Sequence, residues 1–306
     1  MAIAQAASKS IATGLVLAML GAVAFSGKAI IVKLAYRHGV DAVTLIMLRM
    51  LFALPFFLAM VWWTTHRPGA VALPLTRKDW LGVMGLGFTG YYLASFLDFA
   101  GLAYISASLE RLILYLNPTL VLFLGFFLYG RHFNHKQVIG MVLSYSGVLL
   151  VFGHEVSLTG TDVALGTLLV FLSAVSYAIY LSYSGELVQR LGSLRLVGLA
   201  TSVACVLCIG QFVLLRPIAS AFAVAPEVIW LSVLNATLCT VVPVVMVMMA
   251  IERIGSSLAA QVGMVGPMST ITMGVILLDE PFNLWVVAGT ALVLAGVAVC
   301  TRVRPA

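Results

Sequence analysis

A chain of 306 residues that is 62% hydrophobic and only 9% charged cannot bury its apolar side chains in one water-soluble core, so lipid must be their main solvent. The net charge of +6 is spread as scattered cations between apolar runs, which argues against a nucleic-acid surface.

Ten segments, each close to the roughly 20 apolar residues that cross a bilayer, follow one another at 11–36, 41–64, 79–103, 106–130, 134–152, 162–183, 193–215, 226–251, 256–278 and 281–301. Backbone amides in lipid must bond within their own segment, and runs without period-two alternation do so as helices. The predicted fold class is an all-α integral membrane protein. The first segment, preceded by Lys9 and containing "AVA", could pass for a signal peptide, yet "KAIIVKLAY" carries the helix on, so an uncleaved first helix is expected. Lys28 in that helix and Arg49 in the second are cations inside spans. A central charge costs about 2.5–3.5 kcal/mol on insertion scales and needs a reason. A substrate carboxylate passing between the two is a suitable counter-charge; snorkelling of their long stems to headgroups is the alternative.

The third segment, "WLGVMGLGFTGYYLASFLDFAG", has glycines that let backbones approach closely and hydroxyls at mid-membrane. Tyr91 and Ser95 share a helical face at i, i+4, with Tyr92 as the alternate. Asp98 at its end, with Glu110 and Arg111 at the start of the fourth segment, flanks a short outer turn. These three suit a rim network that gates the outer mouth, or an ordinary interfacial ion cluster. The fourth segment brings Tyr115 and Asn117, the latter just before Pro118, whose ring leaves a carbonyl without its donor. Tyr177 and Tyr180 in the sixth add further rings and hydroxyls. Flat apolar walls with convergent polar groups fit an aromatic amino acid, and packing between helices is the competing use of the same tyrosines. In the seventh, Cys205 and Cys208 are spaced C-x-x-C without a second ligand pair, which points to buried thiols and no metal or redox centre. Asn235 lies in the eighth, and in the ninth Gln261 and Met264 share a face leading to Pro267. The five histidines fall near loops, which predicts neither a metal site nor a buried proton relay, and few acids fall within spans.

Sliding residues 104–148 onto 253–297 aligns 13 of 45 positions without a gap, among them Pro118/Pro267, Gly125/Gly274, Phe133/Phe282, Asn134/Asn283, Gly140/Gly289 and Gly147/Gly296. Fainter matches pair Gly14 with Gly166 and Trp80 with Trp230. Each copy therefore holds five helices, and an odd number makes the second copy enter the membrane in the opposite sense. The expected units are 1–155 and 156–306, inverted about a two-fold axis in the membrane plane and forming one transporter domain. In that plan substrate sits near the midplane and access alternates. Pro118 and Pro267 become hinge candidates, while Tyr115 and Asn117, replaced by Met264 and Gly266 in the second copy, nominate the substrate site.

With the N-terminus in the cytoplasm, the inner connections carry eleven cations and the outer ones four, Lys33, Arg37, Arg111 and Arg216. The positive-inside rule then places both termini in the cytoplasm. No Walker pattern occurs, and no Ser/His/Asp, H-E-x-x-H or paired-acid constellation falls at lipid depth, so neither an ATPase subunit nor an enzyme is indicated.

"LRMLFALPF" in the second helix, and "NPTLVLFLGFFLYGRHFN" and "GPMSTITMGVILLDEPFN" at the ends of the repeats, resemble the EamA-type carriers of the drug/metabolite transporter superfamily. The chain departs from the family pattern at Arg131, where an acid is common and Glu280 keeps it in the second copy, and at "FSGK", where many relatives have Trp-Gly. Within the family it is most similar to bacterial aromatic amino-acid exporters. The resemblance implies a cavity lined by helices one to four and six to nine, with five and ten peripheral. The expected function is a secondary transporter that exports amino acids, aromatic ones included, across the bacterial inner membrane by alternating access. Export of other metabolites or drug-like compounds is the alternative; a channel or an intramembrane enzyme ranks lower. The expected partners are the small-molecule substrate and membrane lipid, with no cofactor, metal or nucleic acid. The expected substrate contacts are Lys28, Arg49, Tyr91, Tyr92, Ser95, Tyr115, Asn117, Tyr177, Tyr180 and Gln261.

Overall fold

The computed structural model describes residues 2–66, 74–130, 132–159 and 162–301. Arg67, Arg131, Arg302 and Arg304, and the side chains of Lys9 and Gln261, lie outside the described residues. The helices are α1 (Ala2–Tyr36), α2 (Ala42–His66), α3 (Arg77–Leu102), α4 (Ala107–Leu128), α5 (His135–Thr159), α6 (Asp162–Leu191), α7 (Ser193–Leu215), α8 (Pro226–Ile251), α9, which ends as Val265–Leu278, and α10 (Leu284–Thr301). Among the described residues eight helices have the length and hydropathy to cross a membrane, and Val265–Leu278 and Leu284–Cys300 are shorter apolar ones. Ten crossings bring both chain ends to one side, called here the terminal face.

Several boundaries differ from the sequence reading, with α1 starting at Ala2 and α5 running on to Thr159 among them. α6 runs on to Leu191, where Gly192 at φ 81° allows the turn that other residues resist. Between α8 and α9 the helical backbone is continuous through Gly263, without the expected loop near 252–255. The chain nevertheless doubles back: Gly14 of α1 faces Ile254, whereas Ser26, farther along α1, hydrogen-bonds the Gly266 carbonyl at 2.9 Å.

Helix irregularities recur between the copies. π-turns interrupt α3 at Gly87–Leu93 and α8 at Thr237–Val241. α4 breaks at Tyr115 (ψ −7°) and Leu116 (ψ −8°), and α9 breaks at Met264 (ψ −8°), the counterpart of Tyr115. Each break lies just upstream of a proline, which removes one amide and strands the carbonyl four residues back. Those carbonyls find side-chain donors: Asn117 Nδ2 reaches Leu114 O at 2.7 Å, and Tyr115 Oη reaches Gly263 O at 2.6 Å.

The repeated glycines join α5 to α10. A Cβ placed on Gly140 would stand 2.6 Å from the Gly296 carbonyl, and one on Gly147 would stand 2.6 Å from the Gly289 carbonyl, so only glycine permits this approach. Because Gly140 corresponds to Gly289 and Gly147 to Gly296, the crossed pairing is that of a two-fold axis. The fold is thus an all-α membrane protein of two inverted five-helix repeats. Tight packing elsewhere also uses glycine notches; the Tyr180 ring fills the space beside Gly90 between α6 and α3. Cys205, Cys208, Cys239 and Cys300 are buried free thiols.

Candidate functional site

The helices enclose a cavity of about 300 Å³. At one end it is lined by Lys28 of α1, Asp98 of α3 and Arg111 of α4, and toward the terminal face by Phe57, Val197, Val244 and Met248. Arg49, Tyr91, Ser95, Tyr115, Asn117 and Tyr177 line the space between. The helix breaks explain this placement, since the π-turn carries Tyr91 and the α4 kink carries Tyr115 and Asn117 into the wall.

The charged end is buried. Lys28 Nζ lies 2.5 Å from Asp98 Oδ2 and 3.0 Å from Glu110 Oε1. Exposure is 7% for Lys28, 2% for Asp98, 0% for Glu110 and 9% for Arg111. Asp98, Glu110 and Arg111 are thus enclosed in protein and not the exposed interfacial cluster that the short turn suggested. The helix ends opposite the terminal face are covered: Tyr36 Oη bonds Phe99 O at 2.5 Å, Lys33 Nζ bonds Ile105 O at 2.8 Å, and Arg37 Nη2 bonds Leu278 O at 2.8 Å. Glu280 accepts from the Ala107 amide at 2.6 Å and from Ser108 Oγ at 2.8 Å, and so caps α4 from the other repeat. Snorkelling is likewise corrected for Lys28 and Arg49, both of which point into protein.

Arg111 donates to Thr270 Oγ1 at 3.0 Å and to Ser26 Oγ at 2.8 Å, tying α4 to α9 and α1. Arg49, 5% exposed, donates through Nε to Thr240 Oγ1 at 3.0 Å and lies 5.2 Å from the centre of the Phe99 ring. Its Nη1 is buried without a partner among the described residues, as are Asp98 Oδ1, Glu110 Oε2 and Asn117 Oδ1. Orphaned buried polar atoms cost about 1–3 kcal/mol each, more when charged. Arg49, Asp98 and Asn117 carry such atoms in one cavity wall.

Two predicted contacts stand behind the wall. Tyr180 bonds the Tyr91 hydroxyl at 3.2 Å and stacks on Tyr177 at 5.4 Å, so it positions those rings. Tyr92 packs against Phe88 and the apolar cluster of α1 and α2, away from the cavity. Gln261 cannot be placed because its side chain is not described. Sequence reasoning missed Thr201 and Thr240, hydroxyls of α7 and α8 in the lining. The only signal was a polar residue inside an apolar run.

The profile of a family described as "EamA-like transporter family" matches residues 12–153 and 164–302. The chain is 29% identical over 297 residues to "Uncharacterized transporter YcbK" of Bacillus subtilis (strain 168), covering 93% of this chain and 91% of that one. It is 26% identical over 234 residues to an "Uncharacterized transporter" of Archaeoglobus fulgidus, covering 74% and 79% respectively. A solved structure described as "Crystal structure of protein" superposes with a TM-score of 0.62 at 18% identity, covering 94% of this chain and 96% of that one, which is a likeness of fold alone.

Proposed function

The chain belongs to the EamA-like transporter family and is a multi-pass membrane transporter; on that premise we propose that it exports amino acids, aromatic ones among them, across the bacterial inner membrane by alternating access. One observation carries the substrate class. Among the described residues a donor without an acceptor, Arg49 Nη1, and acceptors without donors, Asp98 Oδ1 and Asn117 Oδ1, line one cavity. An α-carboxylate on Arg49 and an α-ammonium on Asp98 complete both, and the tyrosine rings of the wall accept an aromatic side chain. A volume near 300 Å³ stands at the lower end of ligand pockets and suits one small metabolite.

The positive-inside distribution supports a cytoplasmic terminal face. With that sidedness the Lys28–Asp98–Glu110 network stands at the outer end of the cavity, and Phe57, Val197, Val244 and Met248 line it toward the cytoplasm. Pro118 and Pro267, each beside an unwound turn, serve as the paired hinges of alternating access. The closest competing substrate is a drug-like cation, which the same carboxylates favour.

Proteoliposomes loaded with labelled L-phenylalanine test the proposal. Wild-type protein should release it, and Arg49→Met should slow release by roughly 10- to 100-fold, the worth of one charge-assisted hydrogen bond. Phenethylamine, which lacks the carboxylate, should compete poorly; equal competition would favour the cation reading. Absence of release for phenylalanine, tyrosine, tryptophan and threonine would reject the substrate class.

A further inference from the structure

A second cavity, of about 400 Å³, opens between α3 and α6 at the terminal face and falls within the size range of ligand pockets. Its α3 wall runs from Lys78 through Gly85 to Thr89, and its α6 wall from Arg190 through Tyr183 to Ile179. Each wall spans eleven residues of one helical face, about 16 Å at roughly 1.5 Å per residue, which matches the roughly 15 Å of hydrocarbon in one leaflet. The flank is open to the bilayer, since Leu81 and Met84 of α3 and Tyr183 of α6 are exposed. Gly85 gives the trough its depth: a Cβ there would have nothing within 4 Å, whereas one on Gly82 would stand 2.6 Å from Leu187 Cδ1. The deep end is shut where the Ser176 hydroxyl donates to Thr89 O at 2.8 Å.

The charges at the mouth are divided between the walls. Asp79 is already matched, accepting from the Thr76 amide and hydroxyl at 2.7 Å and pairing with Arg190 Nη2 at 3.0 Å. Lys78 on α3 and Glu186 on α6 are exposed and form no ion pair among the described residues. A cation and an acid left apart above an apolar trough suit a ligand that carries both charges over a hydrocarbon chain, as headgroups do in charged clefts between spanning helices. A purely anionic headgroup would leave Glu186 opposed to it, and a quaternary ammonium would offer Glu186 a charge without an N–H donor.

We propose that this groove binds a phospholipid whose headgroup joins a phosphate to a primary ammonium, the phosphatidylethanolamine class. The phosphate lies on Lys78 and Arg190, the ammonium on Glu186, and one acyl chain along Gly85. Thr89 ends the groove two residues before Tyr91 enters the wall of the central cavity, so the lipid braces the seam of α3 and α6 from which that wall is built. The site is independent of which substrate the carrier moves.

Native mass spectrometry of the detergent-purified protein, titrated with dioleoyl phosphatidylethanolamine, phosphatidylcholine and phosphatidylglycerol, tests the proposal. Wild type should hold one phosphatidylethanolamine about three- to tenfold more tightly than either of the others, the worth of one hydrogen bond net of water. Glu186→Ala should bring phosphatidylethanolamine down to the level of phosphatidylcholine and leave phosphatidylcholine unchanged. Lys78→Met should weaken all three, because all three carry the phosphate. Gly85→Leu, at an exposed position, should fill the trough and abolish the preference while the helical circular dichroism stays that of wild type. Equal affinity of the wild type for the three lipids overturns the proposal. So does tighter binding of phosphatidylglycerol, which would make the groove an anion site, and so does a phosphatidylethanolamine preference that survives Gly85→Leu, which would put the lipid elsewhere.

Discussion

Replacing Lys28 by methionine tests whether the charged end of the cavity is a single electrostatic unit. The substitution nearly preserves side-chain volume and removes an ammonium 2.5 Å from one carboxylate and 3.0 Å from another, both at most 2% exposed. Leaving one partner of a buried ion pair uncompensated costs about 3–5 kcal/mol, or roughly two to three and a half orders of magnitude in the unfolding equilibrium. Reversible unfolding of the detergent-solubilised protein, followed by helical circular dichroism and by reactivity of the buried Cys205 and Cys208 thiols, should register that loss. The triple change Lys28→Met, Asp98→Asn, Glu110→Gln should recover most of it, because an uncharged cluster no longer has ions to desolvate. A Lys28→Met cost below about 1 kcal/mol, or a triple variant as unstable as the single one, would refute the argument, since coupled neighbours must deviate from additivity.

Other consequences are local. Gly147→Leu should destabilise by about 1–3 kcal/mol through overpacking, because its Cβ meets the Gly289 carbonyl at 2.6 Å; Gly153→Leu, with nothing within 4 Å, should stay within about 0.5 kcal/mol in the same thermal assay. Asp41 caps α2, accepting from the Val43 amide at 3.0 Å and the Thr44 hydroxyl at 2.6 Å. Partial burial pushes its carboxyl up, but the Thr44 hydrogen bonds and Arg216 outweigh this and hold it below 3.8. Its contribution is therefore complete above 3.8 and lost as pH falls through the lower folded value. Asp41→Ala should cost about 1 kcal/mol at neutral pH, the usual worth of a cap, with the difference from wild type closing in acid. For orientation, a lone cysteine at Ser157 should react with an impermeant reagent applied to intact cells and one at Lys136 should not; the reverse pattern would invert the assigned sidedness.

The helices, their number and their inverted arrangement were legible because lipid imposes one pattern everywhere. The repeat was legible because a proline, three glycines and a Phe-Asn pair do not readily align through hydrophobic bias. Asn117 was read for the right physical reason, and its amide does replace the proline's missing donor. The acids were misread because Asp98 and Glu110 stand near a turn, and a sequence does not say what covers a turn. Here α1 reaches over it from 63 to 72 residues away, through Tyr36 and Lys33, and Glu280 from the other repeat closes it. Tyr180 was misplaced for a similar reason: its role follows from the absent side chain at Gly90, 90 positions earlier. Local periodicity assigns faces well. It assigns partners only when the partner is on the same element.

The crossed glycine seam between α5 and α10 has an implication for the origin of this architecture. Its contacts are the ones a single five-helix chain would make with an identical copy inserted the other way up, so the interface does not require the two halves to be covalently joined. A small ancestral protein able to insert in both orientations would already possess it, and any change in its glycines would have struck the interface twice. In a fused chain that constraint is absent, and the halves do differ, with Tyr115 and Asn117 in one where the other has Met264 and Gly266. The two halves, expressed as separate polypeptides, should therefore still find each other and copurify.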